Sequence, residues 1–180
     1  MGKKKVLFLN YHLQLGGGEK LLLELCKFTL DQGAVPYVLV PTGKKEEFYD
    51  QEFTNLGIKI LRIEIKDYAE LFREKKWREL KWNLIIKKFG NLFFSSYHII
   101  NLSVFEEWSA KIQHKNRNIW HITNLIQMRN YTNTYSSSIF QNPNDTLIYQ
   151  NTFQAEELRR QYTIACKEVY FKLFLYDQIY

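Results

Sequence analysis

Three consecutive glycines, Gly16, Gly17 and Gly18, lie between a short apolar run and a leucine-rich run. Glycine has no Cβ, so a ligand can approach its backbone closely, and the free N–H groups at a helix N-terminus attract phosphate. The stretch is neither G-x-G-x-x-G nor G-x-x-x-x-G-K-[ST], so the dinucleotide fingerprint and the P-loop are both missing. The glycines alone are equally consistent with two interpretations. One is a turn that faces a phosphate, and the other is a tight strand–helix turn without a ligand.

Four other side chains are candidates for a site. Tyr11 and His12 precede the glycines, and His121 lies near the end of the run "NIWHIT". Arg129 follows in a polar stretch, where it is equally a phosphate contact or a solvated side chain. On sequence grounds alone, a histidine such as His121 is more often a core residue with satisfied hydrogen bonds than a ligand. No Cys/His cluster has zinc-like spacing, and no G-x-S-x-G nucleophile elbow occurs in the sequence.

The elements that would position these residues alternate along the chain. Short apolar runs predict strands at 5–10, 34–41, 58–65, 97–104, 118–123, 146–151 and 168–174. Helical spacing predicts helices at 18–33, 44–57, 66–90, 105–114 and 152–162. This order predicts an α/β fold with a Rossmann-like, mainly parallel sheet and helices on both faces. Ligands bind such sheets at the carboxyl edge of the strands, where the glycines and His121 are expected.

The composition is that of a globular protein with a basic balance. The 180 residues are 46% hydrophobic and carry a net charge of +6, which favours an anionic partner such as nucleic acid, a phosphate-bearing substrate or an acidic membrane surface. No nucleic-acid recognition motif is present, so that class ranks last. No apolar run has the length of a signal peptide or of a spanning helix, and a cytoplasmic protein is expected.

Residues 66–90 hold most of the excess charge, with eight basic and four acidic residues and interleaved Trp and Leu. This pattern suits an anionic membrane surface, and it suits equally a helix packed on the core with a solvated basic face. In the first case the membrane-binding residues would be Lys75, Lys76, Trp77, Arg78, Lys81 and Trp82.

The stretch "VLFLNYHLQLGGGEKLLLELCKFTLDQGAVPYVLVP" resembles the opening of the family 4 retaining glycosyltransferases, which have the two-lobed GT-B fold. Gly16 to Lys20 match that family's Gly-Gly-x-Glu-Arg/Lys-like turn. Further along, "NIWHIT", "NDTLIYQNTFQAEELRRQY" and "EVYFKLFLYDQIY" resemble the family's later strands in the same order. The resemblance covers nearly the whole chain and implies one lobe of a GT-B fold.

The resemblance implies that residues 1–180 form a single N-terminal, acceptor-side domain and that the donor-binding C-terminal domain is absent. Such a domain would be the acceptor-binding half of an enzyme that moves a hexose or N-acetylhexosamine from a UDP-sugar to a polyprenyl-diphosphate-linked saccharide. The pathway would be O-antigen (lipopolysaccharide) or other surface-polysaccharide biosynthesis. The chain alone is expected to be inactive. The alternative is a non-catalytic Rossmann-like partner subunit of a split transferase.

The resemblance also assigns roles to residues. His121 becomes the candidate for contact with the acceptor or the transferred sugar, and Gly16, Gly17 and Gly18 face the substrate diphosphate. Tyr11, His12 and Arg129 are further substrate-binding candidates. The resemblance implies no metal and no cofactor beyond the nucleotide-sugar substrate. It implies a peripheral location on the inner face of the cytoplasmic membrane and no nucleic-acid partner.

Overall fold

A computed structural model of the chain describes residues 2–40, 46–63, 66–100, 116–122, 135 and 137–172. Its strands are β1 (Lys5–Leu9), β2 (Val35–Val40), β3 (Lys59–Arg62), β4 (Ser96–Ile99), β5 (Arg117–His121), β6 (Thr146–Tyr149) and β7 (Lys167–Tyr170). Its helices are α1 (Gly17–Asp31), α2 (Asp50–Asn55), α3 (Tyr68–Arg73), α4 (Trp77–Lys87), α5 (Gly90–Phe93), α6 (Thr152–Gln161) and a 3-10 helix at Ser137–Phe140. Arg129 and the predicted helix at 105–114 lie outside the described residues.

The seven strands form one sheet in the order β3-β2-β1-β4-β5-β6-β7, and every neighbouring pair is parallel. Helices follow β1, β2, β3 and β6, as crossover connections between parallel strands require. The protein therefore has an α/β, Rossmann-like fold, which confirms the predicted fold class.

The core is divided between the two faces of the sheet. Leu7 and Leu9 of β1 join an apolar cluster that includes Trp82 of α4 and Leu158 of α6. Phe8, between them, joins the opposite cluster with residues of α1 and α2. Successive strand residues point to opposite faces, so a strand with helices on both sides is apolar throughout. This burial explains why β1 reads as an unbroken apolar run.

The prediction of a single helix at 66–90 is wrong. The segment folds into three helices, α3, α4 and α5. After α3 the N–H of Lys75 donates to the oxygen of Phe72 and that of Lys76 to the oxygen of Leu71. Lys75 has a φ of 54°, the left-handed conformation with which many helices end. The chain therefore reverses at residues 74–76.

Helices α3 and α4 pack as an antiparallel hairpin, which we call the basic hairpin (residues 66–88). The Lys87 ammonium at the end of α4 lies 4.4 Å from the ring centroid of Tyr68 at the start of α3. The side chain of Asn83 accepts a hydrogen bond from the N–H of Lys66. These contacts leave the turn at 74–76 as the tip of the hairpin. None of the helices in the described ranges is both long and apolar enough to cross a membrane.

Candidate functional site

The glycine stretch forms the connection from β1 to α1, at the carboxyl edge of the sheet. Gly16 is the N-cap of α1 and has an extended backbone, and its oxygen accepts a hydrogen bond from the N–H of Lys20. Gly17 is the first residue of the helix. The backbone N–H groups of the first turn have no partner within a helix, so this turn presents donors and a partial positive charge.

Gly16 has a structural reason to be glycine. A Cβ at this position would lie 2.3 Å from Oε2 of Glu19. Glu19 cannot simply move away, because it is only 7% exposed and its Oε1 accepts a hydrogen bond from Nδ2 of Asn10. Any larger residue at position 16 would displace this buried carboxylate.

Gly17 and Gly18 differ in the space that is available to a Cβ. A Cβ on Gly18 would lie 3.0 Å from Cδ1 of Ile122, the residue that follows β5, whereas a Cβ on Gly17 would meet nothing within 4 Å. The close packing of the chain therefore accounts for glycine at positions 16 and 18. Only Gly17, which is exposed, leaves open space in front of its backbone.

A small cluster of polar side chains lies beside the glycine turn. The Asn10 amide donates to the oxygen of His12 at 2.7 Å and to Glu19 at 3.2 Å. Nδ1 of His12 lies 3.2 Å from Oε1 of Glu19, in a geometry that forms no hydrogen bond. The ring of Tyr11 lies beside that of His12, with 5.4 Å between their centroids. Tyr11 and His12 thus lie next to the glycine turn, and the structure adds Asn10 and Glu19 to the candidates.

His121 ends β5 at the same edge of the sheet. It is 1% exposed, and neither of its ring nitrogens has a hydrogen-bond partner among the described residues. Burial lowers the pKa of His121 to about 4, so the ring is neutral near pH 7. A buried polar group without a partner is costly and is often found where a ligand or water binds. The following residue, Ile122, packs against Gly18, so β5 and the glycine turn meet at this edge. The His121 ring itself lies edge-on to the ring of Tyr135, with 6.5 Å between the centroids.

A second histidine, the half-buried His98 of β4, provides the contrast. Its Nδ1 accepts a hydrogen bond from Nε1 of Trp120 at 3.2 Å, and the Asn118 amide lies 3.4 Å from its Nε2. Burial lowers the pKa of His98 to about 4 as well. Its partners account for its place in the core, so we do not include His98 in the site.

Sequence reasoning missed a cluster on β6, β7 and α6. The Tyr149 hydroxyl donates to Oε2 of Glu168 at 2.5 Å, and Nη2 of Arg159 donates to the same oxygen at 2.8 Å. Burial and the neighbouring carboxylate raise the pKa of Tyr149 to about 12. The three side chains bond to one another across β6, β7 and α6, which indicates a structural tie. No sequence pattern connects these residues, since they come from three elements.

The candidates for membrane binding divide into two groups. Trp77 is 58% exposed and its ring packs edge-to-face on that of Phe72, which is 63% exposed, at a centroid distance of 5.2 Å. Around this pair the side chains of Lys75, Lys76, Arg78 and Lys81 are also exposed.

Trp82 does not belong to this surface. It is buried, with its ring against Tyr37 and Phe93 at centroid distances of 6.0 and 5.8 Å. The assignment of Trp82 to a membrane contact is therefore wrong, because Trp82 lies on the face of α4 that packs against the core.

No protein family, no curated protein sequence and no solved structure matches the chain. Within the described ranges, no group of three or more His, Cys, Asp or Glu side chains is placed to hold a metal ion. The fold defines the class of protein as a Rossmann-like α/β domain.

Proposed function

We propose that this domain is the acceptor-binding half of a retaining glycosyltransferase. The enzyme would move a hexose or N-acetylhexosamine from a UDP-sugar to a polyprenyl-diphosphate-linked saccharide in O-antigen or other surface-polysaccharide biosynthesis. The observation that supports this best is the arrangement at the carboxyl edge. The open backbone at Gly17 and the neutral ring of His121, whose nitrogens have no partner among the described residues, both lie at this edge.

The protonation state of His121 defines what this side chain would do. A neutral imidazole has one donor and one acceptor nitrogen, which suits a sugar hydroxyl, and it adds no positive charge. Stabilisation of a diphosphate would come from the N–H groups at the start of α1. In this proposal His121 orients a sugar hydroxyl and the glycine turn faces the phosphates.

The basic hairpin supports a peripheral location at an anionic membrane. An exposed Trp and Phe pair beside several cations combines an apolar contact with attraction to anionic headgroups. In this proposal Trp77, Lys75, Lys76, Arg78 and Lys81 contact the membrane, which would bring the domain to a lipid-linked acceptor.

The alternative is a non-catalytic partner subunit of a split transferase. Exposed apolar side chains at the carboxyl edge favour a second protein body there, among them Leu15, Phe48 and Phe153. A separate chain with a donor site would cover these side chains. This alternative predicts tight binding to such a chain and no binding of the acceptor by this domain alone.

Chemical-shift mapping by NMR with a soluble acceptor analogue, farnesyl-diphosphate-linked N-acetylglucosamine, tests the proposal. We expect saturable shifts at the amides of Gly17, His121 and Ile122. Gly17→Leu should abolish them without unfolding the protein, since a Cβ there meets no neighbour. Glu24→Leu, an exposed position further along the same helix, is the matched control and should bind like the unchanged protein. Identical binding by the Gly17→Leu variant, or no shift at these three amides, would refute the acceptor role.

A further inference from the structure

A groove of about 460 Å³ opens at the amino edge of the sheet, opposite the edge that carries His121 and the glycine turn. It lies between the segment before β1, the start of β2 and the segment that contains α5. The residues that line it are Gly2, Lys3, Lys4, Lys5, Val35, Tyr37, Asn91, Leu92, Phe93, Phe94 and Ser95.

One side of the groove is strongly basic. Lys3, Lys4 and Lys5 line it, and no acidic residue is among its lining residues within the described ranges. None of these three lysines forms an ion pair in the described part of the chain. The Lys5 ammonium lies 3.9 Å from the ring centroid of Phe93, which leaves its charge at the boundary between the basic and the apolar side.

Hydrogen bonds to neighbouring strands hold the backbone of Lys4 and Lys5. The oxygen of Lys4 accepts a hydrogen bond from the N–H of Val35, and the oxygen of Lys5 accepts from both the N–H and the hydroxyl of Ser95. These bonds hold the backbone of Lys4 and Lys5 between β2 and β4, so both side chains start from fixed points beside the groove. A tail of free lysines would have no such constraint.

The other side of the groove is apolar. Leu92 is 87% exposed, the most exposed large apolar side chain in the described part of the chain. Phe93 and Phe94 stand next to it and continue into the core beside Tyr37. Burying the Leu92 side chain would remove its apolar surface from water, and nothing in the described part of the chain covers it. The groove therefore offers an uncovered apolar surface next to uncompensated positive charge.

We propose that this groove binds an anionic amphiphile, a phosphate or carboxylate group attached to an aliphatic chain. The anionic group lies against Lys3, Lys4 and Lys5, and the aliphatic chain lies along Leu92 and Phe93. Each half of the ligand matches one side of the groove, and neither inorganic phosphate nor an uncharged chain would match both. The site lies at the edge opposite the one used in the proposed function and does not depend on it.

Monomeric octyl phosphate is the probe, and NMR chemical shifts give the location. We expect saturable, salt-sensitive shifts at the amides of residues 35, 37 and 91–95, and none at Gly17 or His121. Inorganic phosphate and octyltrimethylammonium should bind at least about tenfold more weakly, since each lacks one of the two matches. Equal binding of either compound would overturn the proposal. Binding to phosphatidylcholine vesicles with phosphatidic acid, without any response to monomeric octyl phosphate, would also overturn it.

Two variants with matched controls complete the test. Leu92→Asp should weaken octyl phosphate binding roughly tenfold or more, because it places a negative charge in the groove and removes the apolar contact. The control is Leu15→Asp, another exposed leucine at the opposite edge. The double variant Lys3→Gln/Lys4→Gln should weaken binding roughly fivefold, with Lys20→Gln/Lys172→Gln as its control. Both lysine pairs are exposed, so folding is not at risk. Unchanged affinity in both groove variants would refute the site.

Discussion

The carboxyl edge of the sheet and the basic hairpin hold their candidate residues in opposite ways. At the carboxyl edge the polar side chains of Asn10, Glu19 and His121 are buried. On the hairpin the charged side chains are exposed, and so are the rings of Phe72 and Trp77. One region pays a desolvation penalty for each polar group, and the other does not.

This difference decides how each region can be tested. A buried polar residue contributes to stability and to any ligand contact at once, so its replacement changes both. An exposed residue can be replaced with little effect on folding. Gly17 is the exception at the carboxyl edge, because no neighbour occupies the space in front of it. The predictions below test this contrast, from the largest expected effect on stability to the smallest.

Acid should destabilise the protein through His98 and His121. His98 and His121 have pKa values of about 4 in the folded state against an ordinary value of 6.5. As the pH falls, the unfolded chain binds these protons before the folded chain does. The free energy of unfolding is therefore highest above pH 6.5 and decreases as the pH falls towards 4. Each should account for about 2 kcal/mol between pH 7.5 and pH 5. Urea unfolding across this range measures it.

The double variant His98→Phe/His121→Phe is the control for this acid effect. Its free energy of unfolding should change much less between pH 7.5 and pH 5. If the double variant kept the full acid sensitivity, the effect would come from other groups. Burial of these histidines would then not explain the loss of stability in acid.

Gly16→Ala should lower the free energy of unfolding, whereas Gly17→Ala should not. The new Cβ at position 16 displaces the Glu19 carboxylate and should cost about 1–3 kcal/mol. At position 17 the Cβ meets nothing, and alanine is a better helix former than glycine, so stability should stay equal or rise by up to about 1 kcal/mol. Equal losses in the two variants, measured by urea unfolding, would show that the turn does not pack in this way.

His98 and His121 should respond differently to replacement by phenylalanine at pH 7.5. His98→Phe leaves the indole N–H of Trp120 without an acceptor, which costs about 1–3 kcal/mol. His121→Phe removes two ring nitrogens that have no partner in the described part of the chain, so its cost should be smaller. A larger loss for His121→Phe than for His98→Phe would mean that His121 is a structural residue.

Lys75→Gly should stabilise the basic hairpin. Lys75 has a φ of 54°, which glycine adopts without the steric cost that a Cβ imposes. The expected gain is up to about 1 kcal/mol in the free energy of unfolding. A loss of stability would mean that the Lys75 side chain contributes more than the backbone conformation costs.

Charge reversal on the hairpin should have the smallest effect on stability at each position changed. The quadruple variant Lys75→Glu/Lys76→Glu/Arg78→Glu/Lys81→Glu changes exposed side chains and should shift each position's contribution by no more than about 0.5 kcal/mol. Co-sedimentation with anionic vesicles should be lost in this variant and in Trp77→Ser. Trp82→Ser should unfold or destabilise the protein instead, since Trp82 is part of the core. Unchanged vesicle binding in the quadruple variant would remove the hairpin from the proposal.

The fold was predictable because its signals are local. Each described strand appears in the sequence as a short apolar run. Gly33 and Gly57, the last residues of the predicted helices at 18–33 and 44–57, have φ values of 72° and 71° just after α1 and α2. The break between α3 and α4 was not predictable in this way. Helical spacing continues across it, and Lys75 occupies a left-handed position where glycine would have been the usual signal.

The sequence by itself determined the alternation of strands with helical segments, the parallel sheet and the edge at which the glycines and His121 lie, because these follow from periodicity and from the rules of crossover connections. Only the tertiary structure decided which glycine is free and which tryptophan is exposed. The space beside Gly16 and Gly18 is filled by Glu19 and Ile122, and the phase of α4 buries Trp82. Such contacts join residues that are distant along the chain, so no local pattern encodes them.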